Sequence, residues 1–187
     1  MSEPRSQFIL DVEQIRQRAR EKLEHGAVTA GYGGSVDAAI GILNDALATE
    51  LLCVLRYRFH ASAAQGINSE GVRKEFAEHA REEQEHADMI ARRITQLGGR
   101  PHYDPSAIAA HSATQYIEGE NLIDMIKEDL VAERIAIDAY RKMIRYFSGH
   151  DPTTRRMLET ILATEEEHAE DMHDLLVARE GEPMLEH

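Results

Sequence analysis

The sequence predicts an all-α protein, an antiparallel four-helix bundle with one long crossover and an extra N-terminal helical arm. Four long stretches carry apolar residues at alternating spacings of three and four, the period of a helix with one buried face. The composition, 42% hydrophobic with no Trp, 5% aromatic residues and five Pro, suits helices packed by Leu, Ile, Ala and Met. The second pair of stretches also repeats the first in the placing of its polar residues, which points to two related hairpins. At 187 residues the chain is long enough for one such core without covalent staples.

Residues 8–25 have a mixed-charge helical pattern, and Gly26, Gly31, Gly33 and Gly34 mark a flexible joint, so residues 1–34 read as an arm rather than a domain. Ser35 is a plausible N-cap for the first bundle helix, whose stripe is Ile40, Leu43, Leu47, Glu50, Val54, Tyr57 and Ala61. The second helix runs from about Ser69 to Leu97 along Val72, Phe76, His79, Glu83, His86, Ile90 and Ile94, and stops at Gly98-Gly99. From Arg100 to about Ser112, Pro101 and Pro105 interrupt a connection too long for a tight hairpin, which reads as the crossover. The third helix follows to about Phe147 along Leu122, Ile126, Leu130, Glu133, Ile137, Tyr140 and Ile144. Asp151-Pro152 then supplies an N-cap and a proline at the first helical position for the fourth, with Leu158, Ile161, Glu165, His168, Met172 and Leu175 on its stripe until about Arg179. The bundle thus occupies residues 35–180 and a short tail 181–187; Leu185-Glu186-His187 looks like the start of a histidine tag, which removes His187 from the ligand candidates.

Charge and cysteine content narrow the function. A net charge of −13 opposes attraction to DNA phosphates or anionic membranes and favours cations. The single cysteine, Cys53, rules out an intrachain disulfide, a rubredoxin-type Cys₄ site and a zinc ribbon. Neither a basic, then apolar N-terminal segment nor 18 consecutive apolar residues is present, so a soluble, cytoplasmic protein is expected.

Glu-x-Glu-His-Ala occurs twice, as Glu83-Gln84-Glu85-His86-Ala87 and Glu165-Glu166-Glu167-His168-Ala169, each copy preceded by a lone glutamate, Glu50 or Glu133, one helix earlier. Residues three apart share a helix face, so each copy can aim a carboxylate and an imidazole at one ion. Four glutamates on buried stripes are costly unless compensated, and two divalent cations would neutralise them. Two imidazoles on different helices let each serve one metal while carboxylates bridge, a donor set that suits Fe, Mn or Zn. Iron has the most obvious use, since two Fe(II) ions can together deliver two electrons to O₂ or H₂O₂. A third match, Glu170-x-x-His173, falls off its stripe and reads as a surface coincidence.

Around these six lie accessory candidates. Tyr57 and Tyr140, each seven residues beyond a lone glutamate, would either bond ligand carboxylates or be ordinary core tyrosines. His79, one turn before Glu83, would be an accessory site, an entry gate or a satisfied core histidine. Cys53 reads as a small buried hydrophobe, with a redox role as the alternative.

These residues resemble bacterioferritin and the bacterioferritin-like mini-ferritins, which are Dps-like members of the ferritin superfamily, over roughly residues 36–178. The resemblance places the family's ferroxidase ligands on Glu50, Glu83, His86, Glu133, Glu165 and His168, and its nearby tyrosine on Tyr57. It implies two iron ions per subunit, Fe(II) oxidised by O₂ or H₂O₂, and ferric mineral stored inside a homo-oligomeric shell. Gln84 stands at the position of bacterioferritin's haem methionine, so no haem is expected. Only 19 residues follow His168, too few for the family's fifth helix, which favours a dodecamer over a 24-mer. Between residues 1 and 25 five Lys or Arg meet five Asp or Glu, so the arm lacks the positive charge with which Dps arms bind DNA. A rubrerythrin-like peroxidase or dimanganese catalase on the same ligands is the enzymatic alternative, and a DNA-shielding or structural shell protein the non-enzymatic one.

Overall fold

The computed structural model describes residues 10–66 and 69–180, and these contain helices and no strand. Four long helices form two hairpins: α2 (Val36–Ala63) packs along α3 (Ser69–Gln96), and α5 (Leu122–Phe147) along α6 (Pro152–Glu180). Between the hairpins, backbones approach less closely. Side chains fill the space instead, in two apolar clusters. Leu43, Leu47, Ile90, Ile94, Phe147, Leu158 and Ile161 build one, Tyr57, Val72, Phe76, Ile126 and Met172 the other.

Local chemistry sets the helix ends where the sequence puts them. The Ser35 hydroxyl accepts from the Ala38 amide and opens α2. At the end of α3 the Gly98 amide bonds Thr95 O and the Gly99 amide bonds Ile94 O, with Gly98 at φ 81°, a Schellman cap that needs glycine. Asp151 accepts from the Thr154 amide to open α6, and its carboxylate also receives Arg93 from α3 and the Tyr32 hydroxyl from the joint.

Three stretches depart from the sequence reading. Among the described residues of the arm, only α1 (Val12–Arg18) and a single 3₁₀ turn (Leu23–His25) are helical, and no residue of either is buried. The crossover contains a short helix, α4 (Pro105–His111), capped by Asp104 and laid against α2. The helix expected after Ser112 begins only at Leu122. Gly119 sits at φ 70° where a side chain would strike the Met125 backbone, and Asn121 caps the new helix through the amides of Ile123 and Asp124. The tail, with the tag-like Leu185-Glu186-His187, lies outside the described residues.

The connection buries the outer face of α2. Although its unbroken apolar runs are short, α2 is long and apolar enough on average to pass for a membrane span; most of that stretch is instead buried against α3, α4 and the bundle. Under residues 113–121 lies a charged network that the stripe reading did not anticipate. Asp129 Oδ1 accepts from Arg56 Nε at 2.8 Å and its Oδ2 lies 2.7 Å from His60 Nδ1, all three side chains being fully enclosed. Arg56 and His60 also reach the carbonyl oxygens of Gln115 and Glu118, which fastens the connection to the bundle.

Candidate metal centre

All six predicted ligands converge at mid-bundle. Glu50 comes from α2, Glu83 and His86 from α3, Glu133 from α5, Glu165 and His168 from α6, and each is buried. They fall into two overlapping groups whose donor atoms lie within 4.8 Å of one another: Glu50, Glu83, His86 and Glu165, and Glu83, Glu133, Glu165 and His168. Glu83 and Glu165 belong to both groups.

His86 Nδ1 stands 3.2 Å from Glu50, 3.4 Å from Glu83 and 2.9 Å from Glu165. On the other side His168 Nδ1 faces Glu83 at 3.6 Å, too long for a hydrogen bond. The tyrosines cross between the halves: Tyr57 of α2 donates to Glu133 Oε1 of α5 at 2.5 Å, and Tyr140 of α5 donates to Glu50 Oε1 of α2. Each fixes one oxygen of a carboxylate and leaves the other turned to the centre. Glu83 Oε1, Glu133 Oε2, both oxygens of Glu165 and His168 Nδ1 are buried without a hydrogen-bond partner. Such orphans are costly, and a pair of cations at the two groups would satisfy them with a carboxylate-rich, two-imidazole set suited to Fe(II), Mn(II) or Zn(II). The residues fit a paired metal site.

Charge in this pocket is shared unevenly. Burial and then Glu83 push the Glu50 carboxyl up to about 8, and burial with neighbouring carboxylates raises Glu133 and, further, Glu165. For Glu83, burial alone would do the same, but the two imidazoles beside it, His168 and His86, outweigh it and hold the group far below the usual range. The imidazoles lose from burial and gain more from the acids: His168 rises to about 9 and His86 well above its ordinary value. Groups raised on folding stabilise the protein below their unfolded values and lose that contribution as pH rises through the folded ones. Glu83 acts below this range, and His79, lowered to about 4 by burial and then His168, contributes fully above 6.5. Stripped of metal, the protein should therefore melt at progressively lower temperature from pH 6.5 to 9. Metal-loaded protein should not, because cations replace the protons. Thermal melts at both pH values check this, and a flat curve for the stripped protein would count against a proton-held pocket.

The flanking residues separate as helical phase requires. Glu85, Glu167, Glu170 and His173 are exposed, and Gln84 bonds Asp88 at the surface. Cys53 is buried, its thiol pushed well up by burial, beside Thr114 and Arg56. His79 is buried with its ring stacked on His168, centroids 3.9 Å apart. Sequence reasoning missed Glu82, whose Oε2 lies 2.8 Å from His168 Nε2. With Nε2 donating there, Nδ1 is free to face the centre, the carboxylate–histidine pairing that orients metal-binding imidazoles. The signal was present, since a ligand histidine needs an acceptor behind it.

Comparison with known proteins agrees with this architecture. The Ferritin-like domain family matches residues 40–180. A DNA protection during starvation protein of Pyrococcus furiosus is 31% identical over 79% of this chain and 81% of its own. Bacterioferritin of Streptomyces coelicolor is 29% identical over 69% and 74% respectively. Among solved structures, a dodecameric thioferritin, the bacterioferritin-related protein of Bacteroides fragilis, superposes with a TM-score of 0.75 at 35% identity, covering 81% of this chain and 93% of that one. A ferritin-like, diiron-carboxylate protein of Bacillus anthracis gives 0.67 at 27% identity, with 75% and 96% covered. With its helical bundle, its repeated Glu-x-Glu-His-Ala motif and a family match over most of its length, the chain belongs to the ferritin-like family.

Proposed function

We propose that this protein is a ferroxidase that takes up Fe(II) at Glu50, Glu83, His86, Glu133, Glu165 and His168, oxidises it with O₂ or H₂O₂, and stores the ferric product within a homo-oligomeric shell. The observation that carries this reading is the pair of buried groups sharing Glu83 and Glu165, with acceptor oxygens unpartnered between them. Glu83 and Glu165 would bridge two iron substrates, His86 and His168 would serve one each, and Glu50 and Glu133 would cap opposite ends. Two Fe(II) ions side by side supply the electron pair that a peroxide accepts. Tyr57 and Tyr140 hold Glu133 and Glu50 in place. The acidic surface favours arrival of cations.

To test it, Fe(II) is bound anaerobically, O₂ or H₂O₂ is added, and ferric absorbance is followed by stopped flow. A fast phase saturating near two irons per subunit is expected; its absence overturns the reading. Similarity to a dodecameric thioferritin supports a twelve-subunit shell, which solution mass would measure. The relative named for DNA protection favours a second reading, a DNA-shielding shell. A net charge of −13 opposes it, and retardation of DNA at low salt would restore it.

A further inference from the structure

One helical turn before Glu83, a second set of donors lies outside the six. His79 of α3 is 1% exposed, yet its Nε2 lies 3.5 Å from Glu75 Oε1 on the same helix and 3.4 Å from Asp171 Oδ2 on α6. The two carboxylates are open to solvent, with side-chain exposures of 36% and 50%. All three donor atoms fall within 4.8 Å of one another.

These separations are long for hydrogen bonds, whose N···O distance is about 2.7–3.2 Å. They match the spacing of donors around a cation: bonds of about 2.1 Å at a tetrahedral angle hold ligand atoms about 3.4 Å apart. The ring itself is incomplete. His79 Nδ1 is buried without a partner. With the proton on Nε2, Nδ1 becomes an orphan acceptor; with the proton on Nδ1, the Nε2 lone pair points at two carboxylate oxygens. A cation between them removes the clash of that lone pair with the two oxygens and neutralises the acids, at the cost of leaving the Nδ1 proton without an acceptor. Burial, and then Asp171, already pushes the Glu75 carboxyl up, as expected of acids held together without a counter-charge.

We propose that Glu75, His79 and Asp171 form a third divalent-cation site, from which metal passes to the paired centre. One imidazole and two carboxylates suit Fe(II), Mn(II), Co(II) or Zn(II). The route is short, because His79 stacks directly on His168 and the next turn of α3 presents Glu83. The site stands on its own geometry; its staging role rests on the paired-centre reading.

Co(II) tests both parts. Crystals of the intact protein soaked in Co(II) should show three anomalous peaks per subunit, one bounded by Glu75, His79 and Asp171. The Glu75→Gln/Asp171→Asn variant should lose that peak and keep the two at the centre. In stopped flow its paired site should fill about tenfold more slowly, since the carboxylates that concentrate the cation are gone. Both residues lie partly in water, so the melting temperature should not move; if it does, Asp171→Asn alone gives the same comparison. No cobalt at the three residues, or an unchanged filling rate in the variant, overturns the site or its staging role respectively. Cobalt there with none among Glu50, Glu83, His86, Glu133, Glu165 and His168 would instead refute the paired centre and, with it, the staging role.

Discussion

Replacing Glu165 with alanine is expected to abolish the fast ferroxidation phase at two irons per subunit, a larger loss than removing any ligand confined to one group. Glu165 lies in both donor groups, is completely buried, and meets only His86 Nδ1, at 2.9 Å, without an aligned hydrogen bond to either oxygen. Without it both groups lose a member and the shared edge keeps only Glu83. Stability separates this outcome from simple misfolding. In the metal-free protein burial, and then Glu83, Glu50 and Glu133, raise the Glu165 carboxyl well above its ordinary range, so its truncation removes a polar group that is costly to keep there. The stripped variant should melt no lower than stripped wild type, apart from the small cavity it leaves, while the rise in melting temperature on adding metal disappears. Glu170→Ala, one turn away on the exposed face, should change neither measurement. A Glu165→Ala protein that retains the fast phase would show that the iron reacts elsewhere.

Asp129→Ala should cost about 3–5 kcal/mol of stability, the range for breaking a buried ion pair by removing one partner. The alanine leaves the Arg56 guanidinium enclosed, with Gln115 O as its remaining oxygen partner, and takes from His60 its contact at Nδ1. It also loosens residues 113–121, because Arg56 and His60 hold that segment by its carbonyls. Urea denaturation measures the loss. The double variant Arg56→Met/Asp129→Leu should recover much of it, since an apolar pair of similar volume carries no buried charge. A single-variant cost below about 1 kcal/mol would mean that water reaches the arginine.

The contrast between those two sites explains what was legible in the sequence. Glu50, Glu83, Glu133 and Glu165 sit on helical faces that point at other regular helices, so the apolar period around each carboxylate announces its burial. Both histidines follow for the same reason, and the off-phase Glu170 and His173 were correctly left at the surface. Asp129, Arg56 and His60 were invisible because what buries them is the irregular connection. A segment without periodicity leaves no imprint on the helix it covers, and a charged residue there reads as solvated. The late start of α5 had local signals, Gly119 and the Asn121 cap, and the apolar stripe itself begins only at Leu122. In the arm the pattern was helical but lacked a surface to pack on, and amphipathicity without a partner does not sustain a helix.

The division into two hairpins has a further consequence for how the protein comes into being. Glu50, Glu83 and His86 arrive on the first hairpin, Glu133, Glu165 and His168 on the second, and neither donor group closes within one hairpin, since one needs Glu165 and the other Glu83. A chain emerging from the ribosome with α2 and α3 alone carries scattered acids and no paired pocket. Under the proposed function, redox-active iron would find its seat only after the last helix has docked, so the geometry would withhold the oxidising chemistry from half-made protein.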